Sequence, residues 1–176
     1  MRKLILFIFI VPIFLSAQVM NTARVLNHSE AAIQVYPSFH GDNPYIYLAG
    51  EYGLQNAMDV QVNFGAGKNP YLGANLEKVF IKKDYIISAA GGAHFSNDAG
   101  LNLNGNMTYP VASMLDVYGG LDMELNFANS IDTPVWLYLG NAVNYDEKLQ
   151  FFLEVAVGLD ADNIISLGIN YNLGSL

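Results

Sequence analysis

Residues Leu115 to Phe127 read LDVYGGLDMELNF, and this stretch decides the fold. Apolar side chains alternate in it with polar or small ones. Successive side chains of a β-strand point to opposite faces, so the alternation predicts a strand with one apolar and one polar face. The apolar face carries Leu115, Val117, Leu121, Met123, Leu125 and Phe127, and the polar face carries Asp116, Tyr118, Asp122, Glu124 and Asn126.

The same alternation recurs along the chain at intervals of roughly a dozen residues, close to the ~9 to 11 residues that a tilted strand needs to cross a bilayer. Gly, Asn, Asp and Pro separate the alternating runs, as expected for turns. The fourth run has a blurred phase, which predicts a β-bulge. Ten strands are predicted: Ala31–Phe39, Pro44–Tyr52, Met58–Gly65, Tyr71–Ile81, Tyr85–Phe95, Gly100–Tyr109, Leu115–Phe127, Val135–Tyr145, Leu149–Asp160 and Ile164–Leu173.

Composition separates this chain from ordinary soluble domains. It is 52% hydrophobic and 14% charged, against roughly 25% charged residues in an average soluble domain. The sequence contains no cysteine, which excludes disulfides, a thiolate nucleophile and cysteine metal ligands. The fold must therefore be held together by hydrogen bonds and packing.

The N-terminus predicts export. Arg2 and Lys3 precede an apolar run from Leu4 to Leu15, and small Ala17 offers a cleavage point, as in a secretory signal peptide. We therefore divide the chain into a signal peptide (1–17), an N-terminal periplasmic segment (18–30) and a single β-barrel domain (31–176). Without Arg2 and Lys3, six basic and sixteen acidic side chains remain, a net charge of about −10 that makes nucleic acid an unsuitable partner.

The composition of the polar face favours a membrane barrel over a soluble one. A water-facing surface should be rich in Lys, Glu and Arg, whereas this polar face is largely Asn, Gly, Ala and Ser with scattered carboxylates. Small residues such as Ser88, Ala90 and Ala142 suit a crowded lumen, and the bulky apolar face suits contact with lipid. A secreted, soluble, lipocalin-like binding barrel is the alternative, since it too has one apolar and one polar face.

Aromatic residues near the strand ends give a second argument for a membrane. Tyr and Trp favour the membrane interface, where one end of the ring is apolar and the other is wet. Ordinary β-propensity within a core is the alternative explanation. The residues concerned are Tyr71, Tyr85, Phe95, Tyr109, Phe127, Tyr145 and Tyr171.

The last predicted strand contains Ser166, Gly168, Tyr171 and Leu173 in a spacing that resembles the C-terminal assembly signal of bacterial outer-membrane proteins. The whole mature chain resembles a small outer-membrane β-barrel of the compact kind common in Bacteroidota-like bacteria. The resemblance implies a closed antiparallel up-and-down transmembrane barrel in a Gram-negative outer membrane, with both termini in the periplasm. It also implies an even number of strands, ten or alternatively eight, short loops, and as partners lipid, lipopolysaccharide and the barrel-assembly machinery.

Six charged side chains are candidates for the lumen: Glu51, Asp59, Lys78, Asp122, Glu124 and Glu154. Barrels of about eight strands are filled by side chains and those of sixteen are open channels, so ten strands predict a narrow or filled lumen. Two functions remain open, a porin-like narrow path for a small solute or cation and a hydrated polar network that only fills the barrel.

A catalytic function is the third possibility. His94 with Asp98, and His40 with Asp42, resemble in their placement the surface-facing His/Asp proteases of the omptin type, which would make the chain an outer-membrane hydrolase. The sequence shows no constellation of base, nucleophile and orienting group, so we expect no enzyme and no cofactor. Aspartates of the predicted outer loops offer oxygen ligands for Ca²⁺ or Mg²⁺, or are simply solvated turn residues.

Overall fold

A computed structural model describes residues 22–127 and 131–176 of the chain. The predicted signal peptide (1–17) lies outside the described residues. Within the described ranges the chain forms β-strands and short connections, and no helix is long and apolar enough to cross a membrane.

Ten long strands follow one another, as the sequence predicts, and the two-residue β8 adds to the end of one hairpin. Their connections, as far as the structure describes them, are at most five residues long. The strands are β1 (Glu30–His40), β2 (Asn43–Leu54), β3 (Met58–Gly67), β4 (Tyr71–Lys82), β5 (Ile86–Phe95), β6 (Ala99–Ala112), β7 (Leu115–Phe127), β8 (Ile131–Asp132), β9 (Val135–Asn144), β10 (Leu149–Gly158) and β11 (Ile164–Ser175).

The sheet closes on itself. Each long strand pairs antiparallel with its chain neighbours, β7 pairs with both β8 and β9, and β1 pairs with β11. Glu30 opposite Ser175 marks the end of the barrel at which the first strand begins and the last strand ends, called the terminal end below. His40 opposite Ile164 marks the other end, called the far end. The architecture is a closed, ten-stranded antiparallel barrel, which confirms the predicted fold class.

The apolar side chains point outward and the polar ones inward. On β6, Leu101, Leu103 and Met107 are about half exposed, whereas Asn102, Asn104 and Asn106 between them are buried. The same alternation holds on the other long strands, where Asn, Gln, Ser, Asp and Glu are buried together with aromatic and small residues, while the aliphatic side chains are mostly exposed. A soluble lipocalin-like barrel would have the opposite arrangement, with its apolar face inside.

Strand β4 contains the predicted bulge, which follows two neighbouring charged residues. Its pairing with β5 shifts register between Val79 and Ile81. Up to that point Glu77 is buried on the inner face, and Lys78 is exposed on the outer face. The placement of Lys78 among the lumen residues was therefore wrong, because the blurred phase hid which of the two neighbouring charges points inward.

Most of the strand-end aromatic residues lie on the outer surface. The side chains of Phe95, Tyr109, Phe127, Tyr145 and Tyr171 are exposed, as expected for a membrane interface, and Tyr85 is half-buried. Tyr71 is an exception, because its ring stacks on the buried His94 ring inside the barrel at 5.5 Å between centroids. The interface prediction was wrong for Tyr71.

Candidate functional site

Carboxylates dominate the ionisable groups of the lumen. The sequence-predicted Glu51, Asp59, Asp122, Glu124 and Glu154 all lie on the inner face, with Glu51 half-buried and the others buried. Two further buried carboxylates, Glu77 and Asp116, were missed as site residues. Asp116 could have been found from its place on the polar face of β7, whereas the bulge of β4 hid Glu77.

Side-chain amides and hydroxyls solvate these carboxylates. Glu51 Oε1 accepts hydrogen bonds from Gln34 Nε2 at 2.5 Å and from Gln61 Nε2 at 2.8 Å. Glu77 Oε1 accepts one from Asn106 Nδ2 at 2.9 Å and another from the Ser88 hydroxyl. Hydrogen bonds of this kind offset the desolvation of a buried charge, so the network stabilises an acidic interior in the absence of abundant cations.

The amide network extends around the barrel wall. Asn104 Nδ2 donates to Asp122 Oδ1 at 2.6 Å, and Asn102 Nδ2 donates to Asn75 Oδ1 at 2.8 Å. The alternate asparagines of β6 thus each face the lumen, and they link β6 to its neighbour β7 and, across β5, to β4. The asparagine-rich polar face predicted from the sequence is the inner lining of the barrel.

An aromatic cluster fills the lumen between the two ends. Tyr36 and Tyr47 stack with ring centroids 5.1 Å apart, and Tyr118 contacts Phe152 edge-on at 6.3 Å. All members are buried, and small residues of the wall pack among them. The aromatic cluster consists of Tyr36, Tyr47, Tyr118, Trp136, Tyr138 and Phe152.

Two glycines make room for this cluster. A Cβ atom at Gly140 would collide with the Tyr118 ring, and one at Gly120 would collide with the Tyr138 ring and with the backbone oxygen of Gly105. Each glycine lies on the strand next to its ring and is paired with it directly, Gly140 with Tyr118 and Gly120 with Tyr138. The small residues of the polar face thus leave space for large rings that lie over the neighbouring strand inside the barrel.

Within the described part of the chain, a cavity lies at each end of the barrel. The terminal cavity has a volume of about 320 Å³ and is lined by Glu51, Glu77 and Phe152. The far cavity has a volume of about 250 Å³ and is lined by Tyr47 and Glu124, among others. Phe152 of the cluster lines the terminal cavity, Tyr47 lines the far cavity, and the two cavities share no lining residue.

Residues 22–29, called the N-terminal plug below, fold across the terminal end. The Arg24 guanidinium forms two hydrogen bonds with the buried Asp116 carboxylate, at 2.8 and 2.9 Å. The backbone N–H of Ala23 donates to Thr108 Oγ1 at 2.8 Å, and Ala23 is fully buried. Within the described residues, Arg24 is the one lysine or arginine in an ion pair.

The far cavity contains one of the two His/Asp pairs considered for catalysis. His94 Nε2 lies 2.8 Å from Asn126 Oδ1 and 4.0 Å from Glu124 Oε2, so its partners are these residues and not Asp98. His40 Nε2 lies 3.4 Å from the Tyr47 hydroxyl. In the part of the chain that the structure describes, no group of three or more His, Asp or Glu side chains is arranged to hold a metal.

The predicted assembly-signal residues occupy two different environments. Ser166 is buried and lies 2.9 Å from Ser38 across the β1–β11 seam, oxygen to oxygen, and Gly168 is also buried. Tyr171 and Leu173 are exposed on the outer wall. Recognition of these four residues by the assembly machinery stays a prediction.

Comparison with known proteins extends the assignment of the fold. No protein-family model and no curated protein matches the sequence. Among solved structures, an outer-membrane channel from Pseudomonas putida F1 is similar at 9% identity and a TM-score of 0.57, over 89% of this chain and 100% of that one. The KdgM porin is similar at 12% identity and a TM-score of 0.52, over 80% and 98%. The Acinetobacter baumannii outer-membrane protein Omp33 is similar at 9% identity and 0.50, over 82% and 98%.

At these identities the likeness shows the fold alone. The class that the fold and the lumen define is a closed, ten-stranded β-barrel with the architecture of bacterial outer-membrane proteins. Within that class, this chain is a short-looped barrel with an acidic, amide-lined and aromatic-filled interior.

Proposed function

We propose that the chain is an integral protein of a Gram-negative outer membrane that acts as a structural barrel without a permanently open pore. Its apolar outer wall supports residence in a bilayer, since exposed side chains such as Leu103 and Leu139 would otherwise face water. Closure of the sheet supports it further, because an open sheet edge in hydrocarbon leaves backbone groups unpaired. Export by the predicted signal peptide and a Bacteroidota-like origin belong to this proposal.

The observation that carries the closed state is the aromatic cluster. Its rings are buried and pack together, and the cavities at the two ends of the barrel share no lining residue. A solute crossing the barrel must displace several of these rings, and buried aromatic side chains contribute several kcal/mol each to stability. The N-terminal plug closes the terminal end in addition.

A narrow path for cations is the second candidate, and the charge of the lumen favours it. Seven carboxylates line the interior, and Arg24 is the one lysine or arginine in an ion pair with any of them among the described residues. A lumen lined by carboxylates attracts cations and repels anions. Such a path would open only after the plug and the aromatic cluster have moved.

Conductance in planar bilayers distinguishes the two candidates. The purified wild-type barrel should give no steady ion current, and the double variant Tyr118→Ala/Phe152→Ala should conduct, with a reversal potential that indicates preference for cations. The single variant Leu103→Ala on the outer wall is the control, since it removes a similar apolar side chain without touching the cluster. Steady cation-selective current through the wild type would instead establish the second candidate.

Detergent dependence tests membrane residence itself. The folded barrel should require micelles or vesicles to stay monomeric, and its migration in gels should change on heating. A protein that is monomeric in plain buffer would contradict the proposal. Hydrolase activity has no support from the geometry around His94, and an activity that is lost in His94→Ala would reopen that possibility.

A further inference from the structure

The outer wall contains one charge where side chains should be apolar. Lys78 is exposed on the outer face of β4, between Leu76 and the bulge residue Phe80. Its partners in the backbone pairing are Met58 on β3 and Ala89 on β5, neither of which is acidic. No carboxylate within the described residues forms an ion pair with Lys78.

We infer that Lys78 and Lys83 bind the phosphate of an anionic phospholipid at the terminal end of the barrel. The inference rests on the proposed membrane residence and goes beyond it, because it names the lipid class and the residues. An ammonium group on a lipid-facing wall needs a counter-ion or contact with the polar headgroup region. A phospholipid phosphate supplies both.

The distribution of basic residues supports an anionic ligand at this place. Six Lys or Arg residues lie in the described chain, and Lys78, Lys82 and Lys83 make up half of them within six positions. Lys82 lines the terminal cavity, and Asp84, next to Lys83, is the exposed acid of this turn, so the basic residues outnumber the exposed acid. Both neighbouring turns at the terminal end, 55–57 and 113–114, are uncharged. This sector is thus locally basic on a chain with a net negative charge, which favours a negatively charged headgroup.

Lys78 also lies at the level expected for the headgroups. Backbone pairing places Tyr52 on β2 in one row with Leu76 on β4 and Leu103 on β6. The next exposed tyrosine at the terminal end is Tyr109, six residues beyond Leu103. If Tyr52 and Tyr109 both lie at the membrane interface, the interface is shifted by six residues between β2 and β6 because the strands are tilted. Strand β4 lies midway between them, so the interface crosses β4 about three residues beyond Leu76, next to Lys78.

The wall beside Lys78 has room for an acyl chain. Ala89 follows Lys78 on β5, and Gly105 follows Ala89 on β6 along the same row of backbone pairing. A Cβ atom at Gly105 would have no neighbour within 4 Å, so this position is open to the surroundings. Larger exposed side chains, Leu103 and Met107, stand on both sides of Gly105, so the outer wall is lower at Gly105 than on either side of it.

Native mass spectrometry of the full barrel tests the site. The protein is released from micelles that contain equal amounts of phosphatidylglycerol, phosphatidylcholine and lipid A. Wild type should retain phosphatidylglycerol in preference to phosphatidylcholine, by about fivefold for each lysine, which corresponds to about 1 kcal/mol. Lys78→Met/Lys83→Met should lose this preference.

The matched control is Lys148→Met, an exposed lysine in another turn of the terminal end that follows Asp146 and Glu147. This control should keep the wild-type preference. Equal retention of both phospholipids by wild type, preferential retention of lipid A, or an unchanged preference in the double lysine variant would each overturn the inference.

Failure of this inference and failure of the proposed function are distinguishable. Insertion into neutral phosphatidylcholine vesicles, followed by heat-modifiable migration, reports membrane residence without any anionic lipid. A barrel that inserts there and shows no lipid preference would refute only the lysine site. A barrel that inserts into no vesicle would refute both.

Discussion

Replacement of Arg24 by alanine should release the N-terminal plug while leaving the barrel folded. The Arg24 guanidinium makes two hydrogen bonds to Asp116, whose side chain is 1% exposed, and Arg24 itself is 41% exposed. A hydrogen bond to a charged group contributes about 1.5–3 kcal/mol when it is desolvated. Water competes at the exposed Arg24, so we expect about 2 kcal/mol for the pair together, or a factor of about 30 in the docking equilibrium.

Hydrogen exchange measures this loss directly. The amide of Ala23 is bound to Thr108 Oγ1, and the amide of Leu26 is 3.3 Å from Asp59 Oδ2. Because these amides exchange when the plug opens locally, both should exchange about 30-fold faster in Arg24→Ala than in wild type. Amides in the middle of β6 should keep their wild-type rates.

A double-mutant cycle with Asp116→Asn separates the ion pair from other effects of the substitutions. If the pair holds the plug, Arg24→Ala should have little additional effect in the Asp116→Asn background. Unchanged exchange at Ala23 and Leu26 in Arg24→Ala would refute the reasoning. Equal acceleration throughout the strands would also refute it, because it would mean that Arg24 stabilises the barrel as a whole.

Three further substitutions test the inside-out arrangement and the filled lumen. Leu139→Arg, in the middle of β9, should lower the free energy of unfolding in phospholipid vesicles by about 2–4 kcal/mol. Ile131→Arg, at the rim, should lower it by about 0–1 kcal/mol. Small effects of equal size for both substitutions would indicate that the outer wall faces water. Phe152→Ala should cost about 3–5 kcal/mol in urea unfolding from micelles, and a cost below about 1 kcal/mol would show that the cluster is loosely packed. Gly140→Ala should cost about 1–3 kcal/mol through collision with Tyr118, whereas its control Gly50→Ala, with no atom near the added carbon, should be close to neutral.

The acidic interior has its own structural logic. Glu51 and Glu77 are each held by at least two side-chain donors, so removal of a donor should matter more than removal of the acid. A carboxylate that stays buried without its hydrogen-bond donors is destabilised by desolvation of its charge, whereas an uncharged amide of the same shape in its place is not. The polar network can therefore be structural even though its charge also favours cations.

The sequence alone determined the strands, their faces and the direction in which those faces look. Side chains in a strand alternate with a period of two, so the pattern of Leu115–Phe127 gives the strand one apolar and one polar face. The length of each alternating run is close to that of a strand that crosses a bilayer in a β-barrel. The poverty of the polar face in lysine and arginine then placed that face inside. The bulge in β4 was also predicted from its irregular pattern.

Only the tertiary structure decided which inward side chains meet. The alternation of side chains along one strand does not determine which residue lies beside them on the next strand, because strand register and barrel closure depend on the whole barrel. Contacts such as Arg24 with Asp116, 92 residues apart, and Tyr118 with Phe152 follow from that closure. The register of β4 with β5 settled the faces of Glu77 and Lys78, because the bulge just beyond them breaks the alternation from which the sequence would have assigned those faces.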